Sequence, residues 1–257
     1  MNRIANAALT ILILAASAQA IADEIVTETR AIDARVVKVA VGGVIDLRIK
    51  QGPVASLTIS GDKRHVSKVG TVTHGDTLDI DADSDKHHLN FHSNDKHQLR
   101  AELTLPNLSE FTSHGVGSSD VAGFSGKEVK LALDGAGEVS FNSRYRTVNA
   151  RLGGVGRMTL NTGDTELVDL RMHGAGEIVV SGSSKLLHAN LGGVGALDAE
   201  KLLANKVELN LTGLGGATVY AKDSANLNLT GLGSATVYGQ PATRTSSARG
   251  MGSVAYK

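Results

Sequence analysis

The chain has 257 residues with 26 Lys+Arg against 26 Asp+Glu, so its formal net charge is zero and no overall field draws it to nucleic acid or anionic lipid. Thirty glycines against three prolines, with 41% hydrophobic and 3% aromatic residues, exclude a disordered chain and point to many regularly placed tight turns. Cysteine is absent, which excludes disulfides, thiolate ligands and lipid attachment through an N-terminal cysteine.

Residues 1–22 read as a secretory signal peptide. Arg3 supplies the positive n-region, Ala7 to Ala16 the apolar stretch, and small residues come next at the cleavage site. Cuts after Ala20 and after Ala22 both satisfy the small-x-small rule, and the acidic Asp23-Glu24 favours the second. The apolar stretch is shorter than the ~20 residues that span a bilayer. The expected product is an exported chain, periplasmic or secreted, with no membrane span after signal cleavage.

Residues 23–105 hold alternating runs at Val37-Val39-Val41, Val44 to Ile49, Leu57 to Ile59, Leu78 to Ile80 and Leu99 to Leu105. Turn signals separate them at Gly42-Gly43, Gln51-Gly52-Pro53, Gly61-Asp62 and Gly75-Asp76, so each run predicts a strand. Pro106 marks a boundary, because proline cannot donate to a central ladder. The segment is expected to cap the residues C-terminal to it and to shield their open edge. Within it, His87, His88, His92 and His97 make a tract rich in metal ligands, with Asp83 and Asp85 upstream. Their spacing matches no zinc or copper template, and a solvated loop between strands has the same composition.

From residue 106 to 257 a Gly-x-Gly triplet recurs, beginning at Gly115, Gly135, Gly154, Gly174, Gly193, Gly213, Gly231 and Gly250. The intervals are 20, 19, 20, 19, 20, 18 and 19 residues. Six, four and two residues before each middle triplet stand apolar side chains, as in Val129-Leu131-Leu133 or Val168-Leu170-Met172. Four and six residues after it come others, such as Val139 and Phe141 or Ile178 and Val180. Period two on both sides predicts a strand, a glycine corner and a second strand in every repeat. One repeat cannot close a core, whereas coils stacked ~4.8 Å apart bury a continuous one. The expected fold is all-β: a β-helix-like β-solenoid of 19–20-residue repeats with an N-terminal β cap. The matching positions are more polar around the first and last triplets, Ser109, Phe111 and Ser113 or Arg244, Ser246 and Ala248, as expected of terminal coils. An antiparallel meander shares the period and is the rival arrangement.

The stretch Val44 to Gly52 (VIDLRIKQG), the LTLPNL junction at Leu103 to Leu108, units like HGAGEIVVSG at His173 to Gly182, and the ending GSATVYGQPA…GMGSVAYK carry a family resemblance. Over about Val39 to Lys257 the sequence resembles the bacterial family labelled putative auto-transporter adhesin, head GIN domain, a domain of unknown function. The resemblance implies an extracytoplasmic, all-β, β-helix-like fold with no established catalytic residues. The family's usual Ser-Gly-Ala-Gly unit is altered here, because His114, Asp134, Gly153, His173, Gly192, Thr212, Thr230 or Arg249 precedes the triplet. No membrane barrel, sorting signal or lipobox is read in the sequence, so autotransport by this chain alone is not expected.

Other motifs are weaker. Gly192 to Asp198 resembles the start of a calcium-binding nonapeptide, but the aspartate is one residue too far on, and a corner glycine explains the run. No triplet has the context of a nucleotide loop. Asn190, Asn210 and Asn228 share one repeat position and Tyr220 and Tyr238 another, as stacked ladders or as a repetitive binding face. The function expected is noncatalytic binding of an envelope or extracellular ligand, protein or glycan, without cofactor or nucleic acid. A polysaccharide-processing enzyme on a β-helix and a metal-binding protein using the His87–His97 tract are the alternatives.

Overall fold

The computed structural model describes residues 24–82 and 99–257, and nearly all of them lie in strands. In chain order these are β1 (Ile25–Ala31), β2 (Lys38–Gly42), β3 (Asp46–Gln51), β4 (Ser56–Asp62), the helical turn α1 (Lys63–Val66), β5 (Gly70–His74), β6 (Thr77–Asp81), β7 (Arg100–Leu105) and β8 (Glu110–Ser113). Then come β9 (Val116–Leu133), β10 (Ala136–Leu152), β11 (Val155–Met172), β12 (Ala175–Leu191), β13 (Val194–Tyr238), β14 (Thr243–Gly250) and β15 (Ser253–Tyr256). The long strands β9 to β12 each run from the second strand of one coil into the first strand of the next, and β13 continues in the same way through two more corners, at Gly213 and Gly231.

Successive coils pair in parallel and in register, which settles the choice between solenoid and meander. Before the corner, Leu131 opposes Phe111 and Ala150, Ala150 opposes Leu170, and Leu170 opposes Ala189. After the corner, Val139, Met158, Ile178 and Leu197 face one another in turn. From Val129 to Val237, every inward position predicted by the period-two pattern is at most 5% exposed. Like side chains therefore stack along one continuous core between a sheet of first strands and a sheet of second strands.

The corners are glycine because of close approach. At Gly154 an added Cβ would overlap the carbonyl oxygen of Gly135 in the coil before. That oxygen cannot retreat, since it accepts the Val155 N–H at 3.0 Å. The same clash recurs at Gly135 and Gly174 against Gly115 and Gly154.

The parallel ladder extends further towards the N-terminus than Pro106. β2 pairs with β8 and β3 with β9, and Gly43-Val44-Ile45 turns the corner between them, with Val44 bridged to Val116. Outside that coil lies another, made by β6 on β2 and β7 on β3, so stacking order departs from chain order. Antiparallel strands then close the end: β5 on β6, β4 on β7 and β1 on β4. Phe111 and Ser113 are thus interior, 0% and 5% exposed, instead of terminal as their polarity suggested, because β2 lies over them. At the other end β14 is exposed along its whole length, including Arg244, Ser246 and Ala248.

The looser turn between coils has a polar lining that is internally satisfied. Thr165 Oγ1 donates to Ser183 O (2.9 Å), Ser184 Oγ to Leu186 O (2.8 Å), and Ser143 Oγ accepts the Phe124 N–H (3.1 Å). Tyr145 is buried there against Phe141, and its hydroxyl donates to Leu108 O at 2.6 Å.

Two features of this packing are open to measurement. Gly154→Ala should cost about 1–3 kcal/mol by overpacking against a fixed carbonyl, whereas Gly216→Ala, whose Cβ would meet nothing closer than 3.7 Å, should stay within about 0.5 kcal/mol; urea titration compares them. Burial pushes the Tyr145 phenol up to about 12. Its ordinary value is ~10, so the unfolded chain releases that proton first, and stability should fall as pH rises from about 10 to 12. Thermal melting across that range should show a smaller loss for Tyr145→Phe, and absorbance titration should find one of the four tyrosines ionising late.

Candidate binding surfaces

Each tight corner turns its middle residue outward, and in this chain that residue is always apolar. Val44, Val116, Ala136, Val155, Ala175, Val194, Leu214, Leu232 and Met251 form one row, with Val116, Ala136, Val155, Ala175 and Val194 in direct register. Exposure among the larger members runs from 45% at Val116 to 84% at Met251. At ~4.8 Å per coil the row is about 38 Å long. Backbone N–H groups along the row are paired with glycine carbonyls of the neighbouring coil, among them Val155 to Gly135 (3.0 Å), Val194 to Gly174 (3.2 Å), Leu214 to Gly193 (3.1 Å) and Met251 to Gly231 (3.1 Å).

The two halves of the row differ. Around Ala136, Val155 and Ala175 the flanks carry Asp134, Glu138, Arg157 and Glu177, and Arg157 pairs with Glu177 at 2.6 Å. Around Val194, Leu214 and Leu232 the flanks are Gly192, Ala196, Thr212, Gly216, Thr230 and Ser234, all uncharged. Here the corner residues are also larger. Inward-facing alternation hides this row from a sequence reading; the signal that reveals it is the middle letter of every triplet.

The outer face of the first-strand sheet is polar. Asn210 Nδ2 donates to Asn190 Oδ1 (3.0 Å), which leaves the Asn190 amide nitrogen facing His188 Nε2 (3.2 Å). His188 Nδ1 lies 3.3 Å from Asp169 Oδ1, an oxygen otherwise buried without a donor. Asp169 Oδ2 in turn takes Arg171 at 3.0 Å. On the same face, Arg151 is drawn to Asp134 (2.5 Å), and Asn149 donates to Glu128 (2.9 Å). These are links between neighbouring coils, as is Glu166, which Arg146 and Lys185 hold below the usual carboxylate range by hydrogen bonding from either side.

The predicted site residues fall in different parts of the fold. The glycines at 115, 135, 154, 174, 193, 213, 231 and 250 sit at the corners; Gly193, at φ 80°, also needs a left-handed backbone. His87, His88, His92 and His97 lie outside the described residues, whose nearest members are Ala82 and Leu99, paired with Gly42 and Asp46 beside the corner. Among the described residues no group of three or more His, Asp or Glu is placed to hold a metal. Asp198 accepts its own strand's Glu200 N–H (3.2 Å), and the Gly193 carbonyl is taken by Leu214, so neither is turned to a shared ion. Tyr238 lies under Lys257, 5.8 Å from the ring centre, and Tyr220 packs on Gly239. Among the described residues no helix is long and apolar enough to cross a membrane.

The fold is shared with solved bacterial structures. A "putative adhesin" from Parabacteroides merdae ATCC 43184 aligns with TM-score 0.79 at 17% identity, over 91% of this chain and 96% of that one. Another from Parabacteroides distasonis ATCC 8503 gives 0.77 at 17% identity, over 91% and 97%. A "putative lipid binding protein" from the same Parabacteroides distasonis strain gives 0.77 at 20% identity, over 90% and 96%. At these identities the likeness speaks for the fold. No curated protein matches the sequence. A family model matches residues 37–241, four-fifths of the chain, and its description names an adhesin and no reaction. The chain belongs to the family described as "Putative auto-transporter adhesin, head GIN domain".

Proposed function

We propose that the chain is an exported, noncatalytic binding module that seats on a lipid surface through the C-terminal half of its corner row. The observation that carries this is the run Val194, Leu214, Leu232 and Met251, each about half or more exposed, with uncharged flanks around its first three members. A lipid interface accepts a polypeptide only where backbone donors are already paired, as those of Val194, Leu214 and Met251 are. Shape favours the same partner. A single protruding row enters a fluid phase without a matching groove, whereas a protein partner must supply one.

Full burial of a Val, Leu or Met side chain contributes about 1.5–3 kcal/mol, so four half-exposed ones supply roughly 3–6 kcal/mol together. That is the range of reversible attachment, below what a stable anchor needs. The family's adhesin description and the lipid-binding name of one structural neighbour support a binding role. Export rests on the N-terminal signal pattern at residues 1–22.

Co-sedimentation with phosphatidylcholine vesicles tests the seat. The protein should bind, with little dependence on salt because no charge flanks Val194, Leu214 or Leu232. Leu214→Ser/Leu232→Ser/Met251→Ser should weaken binding by roughly ten-fold or more with an unchanged melting temperature. Equal binding by that variant would refute the assignment. Export is checked separately: the envelope fraction should yield a protein whose N-terminal sequence begins at Asp23.

A further inference from the structure

We propose that an open depression on the outer face of the first-strand sheet is a binding site for a neutral oligosaccharide, a ligand distinct from the lipid contact above. The depression has a volume of about 410 Å³, within the ~300–1,000 Å³ of ligand pockets, and is shared by four neighbouring coils. It exists because one repeat departs from its neighbours. Where Arg151 and Arg171 stand in the coils beyond, the outward residue is Ala132, which leaves a small apolar floor.

The walls are held open by their own partners. Arg151 leans away to Asp134, Arg171 is fixed by Asp169, and the Asn149 amide by Glu128. Two polar groups are left over. Lys130 and Glu110 oppose each other across β8 and β9, yet form no ion pair among the described residues. A free ammonium offers donors and a free carboxylate offers acceptors, side by side with fixed amide and guanidinium groups. Vicinal hydroxyls match that set, since each hydroxyl both donates and accepts.

Charge selects against the other ligand classes. Three carboxylates and three cations line the depression, so it has no net charge to offer an acidic or basic ligand. An extended peptide would need a free strand edge, and here each strand already pairs on both sides. A sugar ring can instead rest its C–H face on the Ala132 methyl and direct its hydroxyls to the walls.

Calorimetric titration of the whole protein with maltohexaose, cellohexaose, xylohexaose and chitohexaose, with oligogalacturonate as acidic control, decides the matter. At least one neutral probe should bind with a Kd of about 1 mM or tighter. Ala132→Leu fills the floor from the solvent side, and Lys130→Met removes the free donor while keeping the stem; each should weaken binding by about ten-fold. Both variants should keep the wild-type melting temperature and vesicle attachment, because neither touches the core or the corner row. The proposal is overturned by no binding of any neutral probe, by preference for oligogalacturonate, or by undiminished binding to Ala132→Leu. Failure of vesicle attachment in the wild type would strike the lipid reading alone.

Discussion

Every other feature of this protein depends on one contact: the α-carbon of a corner glycine resting against the carbonyl oxygen of the equivalent glycine one coil below. Parallel pairing fixes the coil spacing through bonds such as Val155 N–H to Gly135 O, at 3.0 Å. With the spacing fixed, nothing larger than hydrogen fits on that side of the chain. A tight corner of that kind reverses direction in three residues, which keeps the inward phase of Leu133 and Val139 equal to that of Leu152 and Met158 in the next coil. The core is then assembled by repetition. Each added coil buries the same five side chains against the same five, and stability accumulates between neighbours without long loops to close.

The ends of such a stack are where repetition fails, and the two ends are treated differently. Towards the N-terminus the chain breaks its own order, placing β6 and β7 outside β2 and β3, and finishing with antiparallel β5, β4 and β1. Antiparallel strands stop the parallel register from continuing. At the other end β14 carries Thr, Ser and two Arg and hardly any apolar surface, a composition that discourages another strand from adding.

The period, the corners and the inward positions from Val129 to Val237 were legible in the sequence, because a contact repeated at constant spacing leaves a constant pattern. The coils of β2–β3 and β6–β7 were not. The first has Ile45 where the others have a second glycine, and the second is split between residues 82 and 99, so neither shows a triplet. Ser113 looks terminal for the same reason: its polarity suggests exposure, while its cover lies seventy residues upstream in β2. Cross-coil side-chain links such as Arg151 to Asp134 are equally hidden, since nothing local in the sequence tells which way an arginine on a flat face will lean.

Net neutrality conceals a division of labour along the rod. Over the coils from β8 to β12 the outward positions are occupied by charges that pair between neighbours, as with Arg146, Glu166 and Lys185 or Arg157 and Glu177. Such exposed pairs add little stability individually. Their effect is to hold long side chains in set directions, and a face with set directions can discriminate among polar ligands. Beyond Leu191 the flanks of the corners at Val194, Leu214 and Leu232 turn to Gly, Ala, Ser and Thr, while the corner residues after Val194 grow to Leu214, Leu232 and Met251. The same backbone, repeated without change, thus presents a directional polar surface over one half and a bare apolar edge over the other, because the outward positions are the only ones the glycine contact leaves free to vary.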